Sequence, residues 1–268
     1  MDSPESFEAS PKRPATILGR LTQAVRQQNW FAVALEIAIV VFGVVIGFQV
    51  TAWAEERADR NREQEYLSQL VTDFEQIEGT LAYSVAWAEE RLEQAEIIQE
   101  VLEGTVAETV RAKDIALALY APGLIVDIPV PRDTWADLVS TGRLQLLRNR
   151  DLRWTISAFY RNADQQRAFM GDWRTDVKPY MGEVSNLLSN RLIRAISSYV
   201  VGGRVGTVPD SLIPPRASLI QAIQTEPTMR TTSVAIPIVN WAAVAQYSEL
   251  LEQAEAISAQ LRAELAVE

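Results

Sequence analysis

WFAVALEIAIVVFGVVIGFQVTAW, residues 30–53, decides the architecture, and its centre is an unbroken apolar run from Ile37 to Phe48. At about 1.5 Å of rise per residue these positions make a helix of roughly 36 Å, enough to cross a hydrocarbon core of about 30 Å. Trp30 and Trp53 stand at its two ends, where amphipathic rings settle at a membrane interface. A cleaved signal peptide is the competing reading, since Lys12, Arg13, Arg20 and Arg26 precede the run. It is disfavoured because the apolar stretch is too long and no small-x-small cleavage site follows. The expectation is a short N-terminal tail (1–28), a transmembrane helix (29–54) and a soluble region (55–268).

Orientation rests on four basic residues before the span against Arg57, Arg60 and Arg62 just after it. This predicts a cytoplasmic N-terminus, with the larger region outside the cytoplasm in the periplasm of a bacterial inner membrane. Only Lys12, Lys113 and Lys178 are lysines, an Arg-rich usage that suits a GC-rich bacterium. Within the span Gly43 and Gly47 form a GxxxG, the spacing that lets a second helix approach closely. Glycine is also simply common in membrane helices. Glu36 and Gln49 lie at opposite shallow edges, where a polar side chain either snorkels to the interface or pairs with another chain. The four residues Glu36, Gly43, Gly47 and Gln49 are the candidate membrane-helix contacts. Membrane lipid and a second copy or another membrane protein are the expected partners.

The chain carries a formal charge of -10, and residues 1–50 hold four of the 25 Lys+Arg and four of the 35 Asp+Glu. The soluble region therefore owns the whole imbalance, 21 basic against 31 acidic residues, and nucleic acid is an unexpected partner. No cysteine or histidine is present. Disulfides, thiol nucleophiles, Cys/His zinc sites and the usual near-neutral general base are thereby excluded. Lys113 and Lys178 stand in no SxxK motif, and the pairs Glu89–Glu90 and Asp133–Asp137 read as solvated faces or caps. GGRVG lacks the preceding strand and GK[ST] ending of a phosphate loop, and no EF-hand spacing appears. Catalytic residues, cofactor and metal are all expected to be none, and the chain is not expected to be an enzyme.

After the span AEERADRNREQEYLSQL is too charged for lipid and holds no Gly or Pro, so the helix should continue into water. Leu67, Leu70, Phe74, Ile77, Leu81, Val85, Ala88, Leu92, Ala95, Ile98 and Leu102 recur at threes and fours, the stripe of a long amphipathic helix ending near Gly104. Residues 112–121 predict a shorter helix ended by Pro122-Gly123. LIVDIPVP (124–131) reads as an extended connector or one short strand. Thr134 with Asp137 resembles a capping box opening a helix that Gly142 closes, and Asn149 or Asp151 can cap the next. That helix is expected to kink ahead of Pro179 and run on to about Tyr199. Ser218 to Gln224 predicts a short helix. Trp241, Val244, Tyr247, Leu251, Ala254, Ile257, Leu261 and Leu265 stripe a C-terminal helix, expected to pack antiparallel on the long helix. The fold class expected is mostly α: one transmembrane helix followed by a membrane-tethered helical bundle with coiled-coil-like long antiparallel helices.

NWFAVALEIAIVVFGVVIGFQVTAWAEERADR (29–60) and TWADLVSTGRLQLLRNRDLRWTISAFY (134–160) together resemble the bacterial domain-of-unknown-function family 6090. The shared habits are Asn-Trp, LE, IVV, a glycine pair, Gln-Val and Trp before charges, then a Thr-aromatic box, a Ser-Thr-Gly turn and a Leu-Arg-Asn run. The resemblance implies a one-span bacterial membrane protein with a helical soluble part, and no established activity. Ala54 departs from the Asn that follows the Trp in many relatives.

The second segment gathers Thr134, Trp135, Ser140, Thr141, Gly142, Arg148, Asn149 and Arg153 around one corner. Its functional reading is an anion or peptide-carboxylate pocket gripped by Arg148 and Arg153. Its structural reading, which is favoured, is that Ser-Thr-Gly ends a helix, Asn149 caps another and the arginines pair with nearby acids. The leading functional expectation is accordingly an interaction or scaffold protein of the bacterial envelope, with a ligand-sensing or anion/peptide-binding domain as the alternative.

Overall fold

A computed structural model describes residues 30–125, 129–201 and 206–267, and among these the chain is helical without a strand. Eight helices are present among the described residues: α1 (Trp30–Glu103), α2 (Ala112–Tyr120), α3 (Asp133–Ser140), α4 (Arg150–Leu187), α5 (Asn190–Val201), α6 (Arg216–Thr225), α7 (Met229–Thr232) and α8 (Ala235–Val267). Single 3-10 turns cover Ala121–Gly123, Arg143–Leu146 and Asp210–Leu212. The basic leader lies outside the described residues, as do 126–128 within the expected connector. The chain divides into two units, Met1–Asp59 and Arg60–Glu268.

In the first unit α1 is long and apolar enough to cross a membrane. From Trp30 to Trp53 nearly every side chain is exposed, including Phe31, Phe42 and Phe48. Thr51 Oγ1 donates to the Gly47 carbonyl at 3.0 Å, returning its hydroxyl to the helix's own backbone. Arg57 stacks over the Trp53 ring at 5.8 Å.

In the second unit α1, α4 and α8 share one apolar core at the α3–α4 end. Leu67, Leu70 and Phe74 meet Ile156, Phe159 and Tyr160 from α4, and Leu250, Ala254 and Ile257 from α8. Cross-links give the directions. Asn162 Nδ2 donates to Gln253 Oε1 at 3.1 Å between α4 and α8, and Arg262 pairs with Glu75 at 3.1 Å between α8 and α1. Since Gln99 at the far end of α1 reaches the Ser233 carbonyl just ahead of α8, α8 runs back along α1. Its most extensive backbone contact is nevertheless with α4, a correction to the expectation that α1 is its main partner.

Most buried positions fall at alternating threes and fours. On α1 they are Glu63, Leu67, Leu70, Phe74, Ile77, Leu81, Ser84, Ala88, Arg91, Ala95, Ile98 and Leu102, with Val101 buried beside the last; on α8 they include Ile236, Asn240, Ala243, Tyr247, Leu250, Ala254, Ile257 and Leu261, with Val239 and Ser258 buried beside them. This is the heptad spacing of a coiled-coil seam. Six expected core positions fall short of full burial, among them Val244, Leu251 and Leu265, which are half-buried. Val85 and Leu92 are only half-buried beside the buried Ser84 and Arg91, and Trp241 is 64 % exposed beside the fully buried Asn240. At these last three places a polar residue occupies the seam and its apolar neighbour stands off it.

Helix ends follow local chemistry. Gly104, at φ +79°, takes the left-handed turn that ends α1, and Gln224 and Arg230 donate to the Val101 and Leu102 carbonyls at 2.7 and 2.6 Å. α4 passes through Pro179 without ending. The helix expected to run on to about Tyr199 breaks at Leu188–Ser189, where Ser189 Oγ accepts from Leu192 N at 3.3 Å and starts α5 as a separate helix.

Candidate functional site

Three of the four candidate membrane residues share a face. Along one continuous helix at about 100° per residue, Glu36, Gly43 and Gly47 are seven and four residues apart and fall on one stripe, whereas Gln49 projects from the opposite side. A Cβ built on Gly43 or Gly47 meets nothing within 4 Å. The stripe is thus a shallow, uncovered strip with a carboxylate at one end.

The corner residues are also brought together, by bonds that run largely into the protein. α3 begins at Asp133 rather than after a Thr134 cap; Thr134 lies inside the first turn, and its backbone N–H is taken by Asp73 of α1 at 3.4 Å. The Ser140 and Thr141 hydroxyls both donate to the Asp137 carbonyl, at 3.2 and 2.6 Å. Gly142, at φ +70°, then turns the chain back. Asn149 caps α4, its Oδ1 accepting from Leu152 N at 3.0 Å, while its amide donates to Glu264 on α8.

The arginines of the expected clamp are both engaged. Arg148 Nε lies 3.3 Å from Glu63 Oε2, and the backbone N–H of Arg148 donates to the other oxygen at 2.5 Å. Arg153 donates to the Leu147 and Arg148 carbonyls. An oxyanion gripped by this pair would have to displace Glu63, which is 5 % exposed. Glu63 and Tyr66 are members of the corner that the sequence does not announce. The Tyr66 hydroxyl donates to Asp137 at 2.9 Å and accepts from Arg143 at 3.1 Å; that bond raises the Arg143 guanidinium above its usual range.

Behind the corner, Trp135 stacks on Tyr160 with centroids 5.9 Å apart, and Tyr160 meets Phe74 and Phe159 at 6.1 and 5.3 Å. The Tyr160 hydroxyl donates to the Pro131 carbonyl at 3.1 Å, and burial pushes its ionisation well above the usual range. In front lies an open groove of about 560 Å³, walled by Trp135, Arg150, Asp151, Arg153, Trp154 and Ser157, so that one carboxylate stands among its two guanidiniums. Scans of the chain against protein-family models, curated proteins and solved structures each return no match. The site is therefore judged on its own residues.

A second polar constellation sits at the other end of the unit, again unannounced by the sequence. Three long helices each send a buried polar side chain to α2 and the turn that follows it. Tyr180 of α4 donates to the Leu119 carbonyl at 2.7 Å, Asn240 of α8 to the Pro122 carbonyl at 3.0 Å, and Arg91 of α1 to the Leu124 carbonyl. Gly123 sits so close to Met181 that a Cβ there would come within 2.2 Å of its sulfur. Arg91 is 2 % exposed and lies 4.2 Å from the Trp87 ring centroid. Among the described residues no carboxylate pairs with it, and desolvation pulls its ionisation down to about 10. It remains charged at neutral pH. Among the described residues no group of three His, Cys, Asp or Glu side chains is arranged to hold a metal.

Proposed function

We propose that this chain is a membrane-anchored helical scaffold of the bacterial envelope. It assembles with itself or with another membrane protein through the Glu36–Gly43–Gly47 face of its apolar helix. The observation that carries the reading is that this face is uncovered among the described residues, with open space over both glycines. In lipid, a close approach of backbones at such a strip gains van der Waals contact, and Glu36 finds a donor it lacks in hydrocarbon. The heptad seams of α1, α4 and α8 support a tethered, coiled-coil-like bundle as the body of the scaffold. The resemblance to the 6090 family agrees with a one-span bacterial membrane protein, and the basic residues ahead of the span favour an N-terminus in the cytoplasm with residues 55–268 in the periplasm.

The test is the mass and protein content of full-length complexes after gentle detergent extraction. Gly43→Ile with Gly47→Ile is expected to dissolve the assembly while leaving the helix in the membrane. Unchanged assembly in that variant overturns the reading. The groove beside Arg153 keeps a second reading in play, a domain that binds an anion or a peptide carboxylate. Its discriminator is a thermal shift on adding such ligands that Arg153→Ala abolishes.

A further inference from the structure

Charge in this acidic chain is segregated. Residues 143–161 carry Arg143, Arg148, Arg150, Arg153 and Arg161 against the lone acid Asp151, a net +4 in a chain of net -10. On α4 the residues Arg150, Trp154, Ser157 and Arg161 are spaced four, three and four apart and form one stripe along the helix. Trp154 is 69 % exposed at its centre, and the Arg161 guanidinium lies over its ring at 5.3 Å. Arg150 makes no ion pair or hydrogen bond among the described residues. A tryptophan flanked by arginines on an exposed helix face is the composition that settles at a lipid–water boundary. The ring enters the headgroup layer and the guanidiniums meet phosphates.

From these residues we infer that the Arg150–Trp154–Arg161 face is a docking surface for an anionic phospholipid bilayer, with lipid phosphate entering the groove beside Arg150. The inference rests on the membrane-anchor reading above, and covalent connectivity supports the choice of partner. Arg148, two residues before Arg150, is bonded to Glu63, and Glu63 follows the interfacial Trp53 by ten residues. Even fully extended, ten residues span at most about 35 Å, so covalent connectivity keeps this face within reach of a bilayer that holds the anchor. Tethering makes even weak headgroup contacts populated, because the second binding step is intramolecular.

The chain has no cysteine, so Gln145→Cys gives a single labelling point on the exposed turn beside the groove. The full-length labelled chain would be placed in nanodiscs of phosphatidylcholine, with or without phosphatidylglycerol, containing a headgroup-linked energy acceptor. Energy transfer is expected to rise when phosphatidylglycerol is added and to fall back at high salt. The double variant Arg150→Glu/Arg161→Glu should lose that rise, each arginine contributing about fivefold to the docked population. The salt arm needs no substitution of the stripe, so it stands even if the double variant misfolds. Equal transfer in neutral and anionic discs overturns the inference and leaves the anchor intact. Failure of the chain to co-elute with neutral discs overturns the anchor reading itself. A lipid-dependent rise that survives the double variant removes the assignment to this stripe.

Discussion

The two ends of the second unit solve one problem, holding a shorter segment against three long helices, with opposite chemistry. At the α3–α4 corner the core is aromatic, built from Phe74, Trp135, Phe159 and Tyr160. The polar bonds there are charge-assisted and lie at or near the surface: Glu63 with Arg148, Tyr66 with Asp137 and Arg143, Arg132 with Asp164. At the α2 end the core is mostly aliphatic, and the polar bonds are buried side chains from Arg91, Tyr180 and Asn240 onto backbone carbonyls. The surfaces differ as well. Residues 143–161 are basic, whereas residues 89–103 carry six glutamates and, as their one basic residue, the buried Arg91. One end is thus suited to meeting an anionic surface, and the other to holding one conformation out of reach of solvent.

The comparison predicts where truncation hurts most. Phe74 is fully buried with Phe159 and Tyr160 at centroid distances of 5.2 and 6.1 Å. Phe74→Ala should destabilise the full chain in detergent by about 4 kcal/mol, through lost burial and an aromatic cavity. Denaturant unfolding measures it, and a loss below about 2 kcal/mol would mean that the corner can collapse around the gap. The second effect in size belongs to the other end. Tyr180→Phe removes no volume but leaves the Leu119 carbonyl without its buried donor, at an expected cost of about 2 kcal/mol. Trp135→Ala should in contrast leave the α2 end's exchange protection unchanged, if the two cores are separate as their side chains indicate.

Much of this was legible in the sequence. The apolar run 30–53, the end of α1 at Gly104, the Asn149 cap and the Ser-Thr-Gly turn all follow from local rules, because a cap or left-handed glycine acts within a few residues. What escaped is long-range or polar. Reading by apolar residues selects Val85, Leu92 and Trp241, yet the seam takes Ser84, Arg91 and Asn240. The heptad spacing from Leu67 through Leu81 already points to 84 and 91 once polar residues are admitted. The partners of the corner were invisible for another reason. Glu63 meets Arg148 across 85 positions and Asn149 meets Glu264 across 115, and single-sequence patterns carry no signal for such pairs. The Arg148/Arg153 clamp suggested by the local sequence meets Glu63, a carboxylate that no local pattern places there.

Arg91 tests whether the buried clamp exists for stability or for choosing one arrangement. A guanidinium removed from water, without a carboxylate among the described residues, has a large desolvation cost offset only by one carbonyl and the Trp87 face. Arg91→Met keeps most of the volume and removes that cost, so the variant should be neutral to about 1 kcal/mol more stable. If the residue instead enforces register, as polar seam positions can, the same variant should broaden the amide spectra of residues 115–124 while unfolding no earlier. A destabilisation above about 2 kcal/mol would show that the ring and carbonyl contacts outweigh desolvation.

The smallest effect separates the two ends by pH. Arg132 grips Asp164 with bonds of 3.1 and 2.6 Å, and this hydrogen bonding holds the Asp164 carboxyl below its usual range. A carboxyl whose folded value is depressed stabilises the fold above its unfolded value of about 4, and that contribution is lost as the pH falls through the folded value. Asp164 is about half exposed, with a side-chain accessibility of 52 %. Solvent screening therefore limits the pair to roughly 0.5 kcal/mol. Arg132→Gln should consequently melt slightly below the parent at neutral pH and approach it in acid, once Asp164 is protonated in both. Tyr180→Phe should keep its full deficit over the same range, because no carboxylate takes part in the Tyr180–Leu119 bond. A deficit in Arg132→Gln that persists unchanged in acid would assign the role of Arg132 to its packing over the Tyr160 ring, at 5.5 Å, instead of to the ion pair.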